Sequence, residues 1–482
     1  MRILVSIAIA GGLAAAPAGA DDLSAEYRQA FRGLDAPARL ALVEKAAAAG
    51  DLAGAKVLLE ILRRDDEGEE RALYRKRDSI GGTIDGIFDA AIRDKRMLTP
   101  AEDERLQGVK RELAAVVSEI AAVVEVRWRA AEALEGMSDR AVREHLLEVA
   151  GKDRDWFVRY AAVRAVGRDG EPEPAPALTE IVAKEASSMV VVAALDALGR
   201  LKAPIGAAAA IEKLDSPDWP VRAAAAAALA RMGDLGAVRP MIDRMAKEKG
   251  RLRTDLDRAL ETLTGFSTGG DAARWEGWWK VHGAAVEARS FVRAAPEKGG
   301  QPASGVTFYG VRTLSDRIVF VLDISGSMKE PAGAKVPVTG TSDRVVQPEG
   351  DRKIDVARAQ LKTAILALPE RAEFNVIFYR QGVRAMSARM VRADPRSVEK
   401  AFAFIDDERP AGGTNIFDAL HQAFNPVEVV DSGARITSRN WDGLVDTVFL
   451  LSDGQPNYGR FTSAGEMVRE LTRLDVYRKI VV

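Results

Sequence analysis

Apolar positions along the chain follow two different periods. Between residues 125 and 290 similar segments recur: "VRWRAAEALEG" from Val126, "VRYAAVRAVGR" from Val158, "VVVAALDALGR" from Val190, "VRAAAAAALAR" from Val221 and "LRTDLDRALET" from Leu252. They start every 31 or 32 residues. In each, apolar or alanine positions recur at helical spacing. Second helices are predicted between them at Arg140–Ala150, Ala175–Ala186, Gly206–Leu214 and Ala237–Lys247. Two helices per unit, repeated about five times, predict an α-solenoid. Alanine at so many positions lets paired helices approach closely. Residues 21–124 also read as helical. There, Thr99-Pro100-Ala101-Glu102 is a capping box with proline at the first helical position, and a long helix should run from it to about Gly136. The break "SIGGTIDGIF" (Ser79–Phe88) lacks a GxxxxGK[ST] context and reads as a helix–helix turn.

After "PEKGGQPASG" (Pro296–Gly305), part of a linker over 291–305, the pattern changes. "RIVFVL" (Arg317–Leu322), "EFNVIFY" (Glu373–Tyr379), "DTVFLL" (Asp446–Leu451) and the final "KIVV" read as continuous apolar strands. Between them lie amphipathic helices at Lys353–Leu368, Ser397–Ile405, Ile416–Phe424 and Ser463–Leu474. Strands alternating with helices predict a doubly wound, mostly parallel α/β domain over 306–482, with both sheet faces covered. The chain stops at Val482 inside the last strand, so this domain is expected to be incomplete at its C-terminus.

Composition narrows the class without naming it. The 482 residues call for several domains, and a formal net charge of -2 gives no basic surface for nucleic acid. The start "MRILVSIAIAGGLAAAPAGA" has a positively charged Arg2, an apolar run and a small-x-small end at Ala18-Gly19-Ala20, the pattern of a secretory signal over 1–20. Export to the periplasm, the cell surface or the medium is expected. No later segment is long enough to span a bilayer. The absence of cysteine rules out disulfide staples and a lipid-modified cysteine anchor.

Two features of the helical array invite functional readings. Arg127, Arg159, Arg222 and Arg253 recur at equivalent positions. They are read as neutralising neighbouring acids and solvating the helix face rather than as a ladder for acidic partners. Trp275, Trp278 and Trp279 share one helix face and are read as a cap closing the array's open end. Asp155 and Asp218 are expected to cap helices. On "DWFVRYAAVRAVG" (Asp155–Gly167) and "DWPVRAAAAAALA" (Asp218–Ala230), the array resembles short HEAT repeats.

The chemistry falls at predicted strand ends, where open α/β sheets bind ligands. Asp323 follows the first strand, with Ser325 and Ser327 at alternate positions beyond it; Asp453 follows a later strand in "LSDG"; Thr414 sits in "GGTN" before a helix. Two carboxylates and three hydroxyls are hard oxygen donors suited to Mg²⁺, with Ca²⁺ or Mn²⁺ as alternatives. Five such donors leave a position of a divalent ion's octahedron open, so a carboxylate from another molecule would complete it. DxSxS, then GGTN, then LSDG resembles the metal-ion-dependent adhesion site of the von Willebrand factor A family, over roughly Val306–Val482. The resemblance implies that Ser325 and Ser327 coordinate directly, Thr414 directly or through water, and Asp323 and Asp453 directly or through bridging waters. The long segments Lys329–Asp351 and Pro426–Asn440 are departures; either supplies partner specificity or an internal acid such as Glu330 that blocks the ion.

The expected function is therefore metal-dependent binding of a protein partner through its Asp or Glu, with the helical repeats as a second surface. A metal that only stabilises a scaffold is the alternative. A metal-assisted hydrolase is disfavoured: no HExxH, GxSxG or Walker motif occurs, and His421 stands two helical turns beyond Thr414.

Overall fold

The computed structural model describes residues 36–63, 99–168, 172–293, 306–313, 315–333, 345–387, 389–424 and 445–458, with scattered positions in 72–87 and 463–471. The signal segment, most of the linker, residues 334–344, the segment Pro426–Asn440 and the final "KIVV" lie outside the described residues. The chain forms two compact units, the first comprising Met1–Arg71 with Glu119–Val166, the second Ala72–Ser118 with Gly167–Val482.

The described part of the first unit is helical: α1 (Ala36–Ala49), α2 (Leu52–Arg63), the C-terminal part of α3 (Pro100–Glu135), α4 (Arg140–Lys152) and α5 (Trp156–Val166). Buried Leu58, Leu62, Ala130, Leu134, Leu146 and Val158 supply its core. Trp128 meets Phe157 edge-on with ring centroids 5.1 Å apart, a favoured aromatic geometry. Asp155 caps α5 as expected, accepting from the Phe157 N–H at 2.7 Å.

The second unit begins at the other end of α3, where the capping box forms reciprocally. The Thr99 N–H donates to Glu102 Oε2 at 2.8 Å, and the Glu102 N–H to Thr99 Oγ1 at 3.3 Å. Its repeats follow as α6 (Ala175–Lys184), α7 (Ser188–Arg200), α8 (Ala207–Lys213), α9 (Trp219–Met232), α10 (Val238–Lys247) and α11 (Arg251–Thr264). The alanines act as predicted: a Cβ on Gly199 of α7 would lie 3.0 Å from the Ala228 backbone of α9. Helix α9 is buried nearly all round, which is why it carries alanine rather than an apolar stripe. Asp218 stands at its N-cap position, but its carboxylate accepts from Ser188 Oγ instead of capping.

Three of the recurring arginines, Arg127, Arg159 and Arg222, reach backbone carbonyls rather than solvating a helix face, and Arg222 also neutralises an acid as expected. Arg222 is buried; its Nη1 donates to the Ser216 and Pro217 carbonyls at 2.7 Å each, and its Nε pairs with Glu248 at 2.8 Å. Arg159 likewise reaches the Asp153 and Arg154 carbonyls at 2.8 and 3.1 Å, and Arg127 the Leu62 carbonyl at 3.2 Å. For Arg159 and Arg222 these are carbonyls of the turn leading into the arginine's own helix, which lack helical donors and are satisfied by the guanidinium. Helix α12 (Ala272–Glu287) follows, with Trp275 fully buried, Trp278 buried and Trp279 half-buried. The buried Asp257 of α11 binds this segment, accepting from Ser267 Oγ, the Thr268 N–H and Oγ, the Gly269 N–H and Trp275 Nε1.

The α/β part of the second unit opens with a hairpin, β1 (Val306–Phe308) and β2 (Val311–Thr313). Its main sheet contains β3 (Arg317–Asp323), β4 (Glu373–Tyr379), β5 (Val383–Ala385), β6 (Val391–Arg392) and β7 (Thr447–Leu451). Strand β3 is central and parallel to both β4 and β7. Its side chains alternate between two layers. Ile318, Phe320 and Leu322 pack with α13 (Lys353–Leu366) and α14 (Pro395–Asp407). Val319 and Val321 pack with Phe417, Leu420 and Phe424 of α15 (Ile416–Phe424). Cover on both faces explains the unbroken apolar run. The sheet is mostly parallel, as expected, with β5 and β6 both pairing antiparallel with β4. The Arg380–Gly382 turn that separates β4 from β5 is far too short for a parallel crossover. A helical array therefore precedes a mainly parallel α/β sheet. Among the described residues no helix is long and apolar enough to cross a membrane.

Candidate functional site at the strand ends

The chain leaves β3 towards β4 on one side and returns to β7 on the other, which makes the carboxyl end of β3 the topological switch point. Asp323 is the last residue of β3 and is fully buried. Beyond it, backbone bonds lock the loop to its neighbours: Ile324 N–H to the Tyr379 carbonyl at 2.9 Å, Ala411 N–H to the Ile324 carbonyl at 2.8 Å, and Gly326 N–H to the Gly412 carbonyl at 3.0 Å. Gly412 has φ +75, in the left-handed region that favours glycine, and the end of the Gln381 side chain lies where a Cβ would point.

Four of the five predicted residues join in one hydrogen-bonded chain. Asp323 Oδ1 accepts from the Ser325 N–H at 2.7 Å. Ser325 Oγ and Ser327 Oγ are 3.0 Å apart, and Ser327 Oγ donates to Asp453 Oδ1 at 2.8 Å. Thr414 is buried on the adjacent loop and is held by its backbone. Its N–H donates to Asn457 Oδ1 at 2.8 Å, and its carbonyl accepts from the Asn457 and Tyr458 N–H groups at 3.1 and 3.2 Å.

Three participants escaped the sequence reading. Ser452 Oγ donates to Asp323 Oδ2 at 3.0 Å. Asn457 fixes the Thr414 loop. Lys353, the first residue of α13, places Nζ 2.9 Å from Asp453 Oδ2 and 2.8 Å from Glu330 Oε2. The last had a signal: a cation at a helix N-terminus opposes the helix dipole and needs acidic company. Glu330, expected as an internal acid, therefore meets a lysine. It is held there by the stem of its loop, through the Lys353 N–H to the Glu330 carbonyl at 2.9 Å and the Ala332 N–H to the Asp351 carbonyl at 2.8 Å. His421 lies against Phe417, with ring centroids 5.9 Å apart.

Burial pushes the Asp323 carboxyl above the usual carboxylate range, and Asp453 adds to this; hydrogen bonds from Ser325 and Ser452 pull the other way. Burial also raises the Tyr379 phenol, with Asp323 contributing; its hydroxyl donates to the Leu451 carbonyl at 3.1 Å. Hydrogen bonds to Glu330 and Asp453 hold the Lys353 ammonium above its ordinary range.

The donor set, two carboxylates and three hydroxyls, is chemically suited to a hard divalent cation. Among the described residues no group of three His, Cys, Asp or Glu side chains converges.

Comparison with known proteins agrees with this architecture. Residues 115–199 match the HEAT repeat family, and residues 348–476 match the von Willebrand factor type A domain. The second match covers Thr414 and Asp453 but begins after the Asp323–Ser327 loop. Human inter-alpha-trypsin inhibitor heavy chain H4 is 31% identical over 150 residues, which is 31% of this chain and 13% of that protein. Rat heavy chain H3 is 27% identical over 164 residues, 34% of this chain and 15% of the relative. Heavy chain H2 of Mesocricetus auratus is 28% identical over 146 residues, 30% of this chain and 13% of the relative. The similarity thus spans about one-seventh of the length of these relatives. The chain carries HEAT repeats followed by a von Willebrand factor type A domain.

Proposed function

We propose that the protein is an exported, non-enzymatic binding scaffold whose type A domain engages an Asp or Glu of a protein partner through a divalent cation, Mg²⁺ foremost. Asp323, Ser325, Ser327, Thr414 and Asp453 would hold the ion. When bound, it supplies positive charge and an open coordination position for the incoming carboxylate. The chain's own residues build the seat. Burial and backbone bonds fix Asp323 and the serine loop, Ser452 orients the second Asp323 oxygen, and Asn457 holds Thr414 at the rim. The helical repeats offer a second, extended surface. The observation that carries the reading is the 2.8 Å bond from Ser327 Oγ to Asp453 Oδ1, which joins the ends of β3 and β7 and gathers hard oxygens at the switch point. The matched relatives are named as heavy chains of an inhibitor, which favours a role in protein association over catalysis. The signal-like start favours export.

The test is capture of partners from the exported fraction with the full chain immobilised, in Mg²⁺ and in chelator, with Asp323→Ala alongside. Partners retained in Mg²⁺ and lost both with chelator and with the variant are expected. Retention that ignores both treatments would refute metal-mediated recognition.

A further inference from the structure

The reading above leaves Lys353 unused, although it sits at the heart of the rim. Its ammonium bridges Asp453 Oδ2, at 2.9 Å, and Glu330 Oε2, at 2.8 Å. The two acids differ in kind. The Asp453 side chain is 13% exposed and is also held by Ser327, whereas that of Glu330 is 63% exposed and touches the rim through Lys353. The lysine stands at N1 of α13, where the helix dipole disfavours a cation, so its placement is sustained by these acids rather than by helix formation. The loop carrying Glu330 is pinned beside it by the Lys353 N–H and by the Pro331–Arg352 bridge.

We propose that Lys353 is the second anchor for the partner's carboxylate, and that Glu330 is an internal carboxylate occupying that anchor until a partner displaces it. The inference rests on the acid-recognising metal site proposed above. A carboxylate has two oxygens; one completes the cation's shell and the other accepts from the Lys353 ammonium. The ammonium has three N–H donors and no fixed fork, so it can pass from one carboxylate to another without leaving Asp453. An ion pair as exposed as Glu330–Lys353 is weak, which suits a contact made to be exchanged. The rim then selects a carboxylate over a neutral amide twice, once at the ion and once at the lysine.

The same lysine opposes the ion, since both positive charges share Asp453. Its removal therefore has effects of opposite sign on ion and ligand. The experiment uses the full chain, Mn²⁺ as a spectroscopic stand-in for Mg²⁺, and a blocked Gly/Ser peptide with one central glutamate; its glutamine counterpart is the control. Mn²⁺ affinity is read by electron paramagnetic resonance, and peptide binding by Mn²⁺-induced broadening of the peptide's proton resonances. Lys353→Met is expected to bind Mn²⁺ about tenfold more tightly, the scale set by nearby like charges in a wet site, yet to bind the glutamate peptide at least about fivefold more weakly. Glu330→Gln is expected to bind the peptide about threefold more tightly, and Lys353→Arg to keep most of the binding while reporting that the fold survives. Wild-type Mn²⁺ binding with peptide affinities unmoved in Lys353→Met and Glu330→Gln overturns the inference and leaves the metal site standing. Absence of Mn²⁺ binding by the wild-type chain overturns the metal site, and the inference with it.

Discussion

Substitution of Asn457 by alanine tests whether the rim depends on a residue that lies outside the motif. Asn457 Oδ1 accepts the Thr414 N–H at 2.8 Å, while the Asn457 and Tyr458 N–H groups donate to the Thr414 carbonyl. Alanine keeps both backbone donors and deletes the side-chain acceptor alone. The buried Thr414 N–H is then left without its partner, at a cost of about 1–3 kcal/mol. Asn457 itself is exposed, so water recovers part of the loss and the lower end applies. About 1 kcal/mol corresponds to about a fivefold fall in Mg²⁺ affinity, provided Thr414 serves the ion. Isothermal titration of Mg²⁺ into wild type, Asn457→Ala and Asn457→Asp measures this, with thermal unfolding in chelator as the control. The aspartate retains an acceptor oxygen and should restore affinity. Unchanged Mg²⁺ affinity in Asn457→Ala, or an aspartate variant as weak as the alanine one, would refute the claim that Asn457 positions Thr414.

Other parts of the fold give further tests. Asp257→Ala strands the donors of Ser267, Thr268, Gly269 and Trp275 and should cost about 3 kcal/mol or more in urea unfolding followed by tryptophan fluorescence; a loss under about 1 kcal/mol would show that the hub carries little. Hydrogen bonds hold the Asp257 carboxyl below its usual range, so its contribution is present above pH 4 and fades as pH falls further. Asp446, at the foot of β7, behaves oppositely: burial pushes its carboxyl up to about 6 against 3.8, so the folded state binds more protons between those values and stability falls as pH rises through them. Asp446→Asn should therefore gain up to about 3 kcal/mol over wild type at pH 8, with the two chains converging below pH 4. A variant less stable than wild type at pH 8 would show instead that the ionised carboxylate supports its Ser315 and Thr447 donors. Arg222→Ala leaves two carbonyls without their guanidinium, while Glu248 keeps its pair with Arg244, and should destabilise the repeats by about 1–3 kcal/mol, measured by chemical unfolding.

The order of these elements was legible because burial writes itself into period. Strand β3 is apolar throughout because helices cover both of its faces, and the repeat helices declared themselves by alanine and valine at fixed offsets. Strands β5 and β6 left no such trace. With three and two residues, they are too short for a pattern, and their pairing is decided by the tight turn after β4 and by the exposed backbone of its edge. Identical letters also hid different tasks. Asp155 caps its helix, whereas Asp218 in the same repeat position gives its carboxylate to Ser188, a neighbour that only the packing of α7 beside α9 supplies.

The rim divides in the same way. Asp323, Ser325 and Ser327 are legible because one strand end and one turn place them, and any fold that keeps β3 central must bring them together. Asp453 needs β7 beside β3, which the alternation of strands and helices implied. Lys353 needs more: the start of a helix brought against a loop end that lies 126 residues after Ser327 in the chain. Its letter alone reads as an ordinary polar position on an amphipathic helix. Yet two acids are spent on it, one of them a predicted metal donor, at a helix terminus that repels cations. A rim built only to hold an ion would gain affinity by losing that charge. Retaining it makes physical sense where the rim must also hold something anionic, and this connects the lysine to the partner carboxylate proposed above, which an ion alone would leave half-bound.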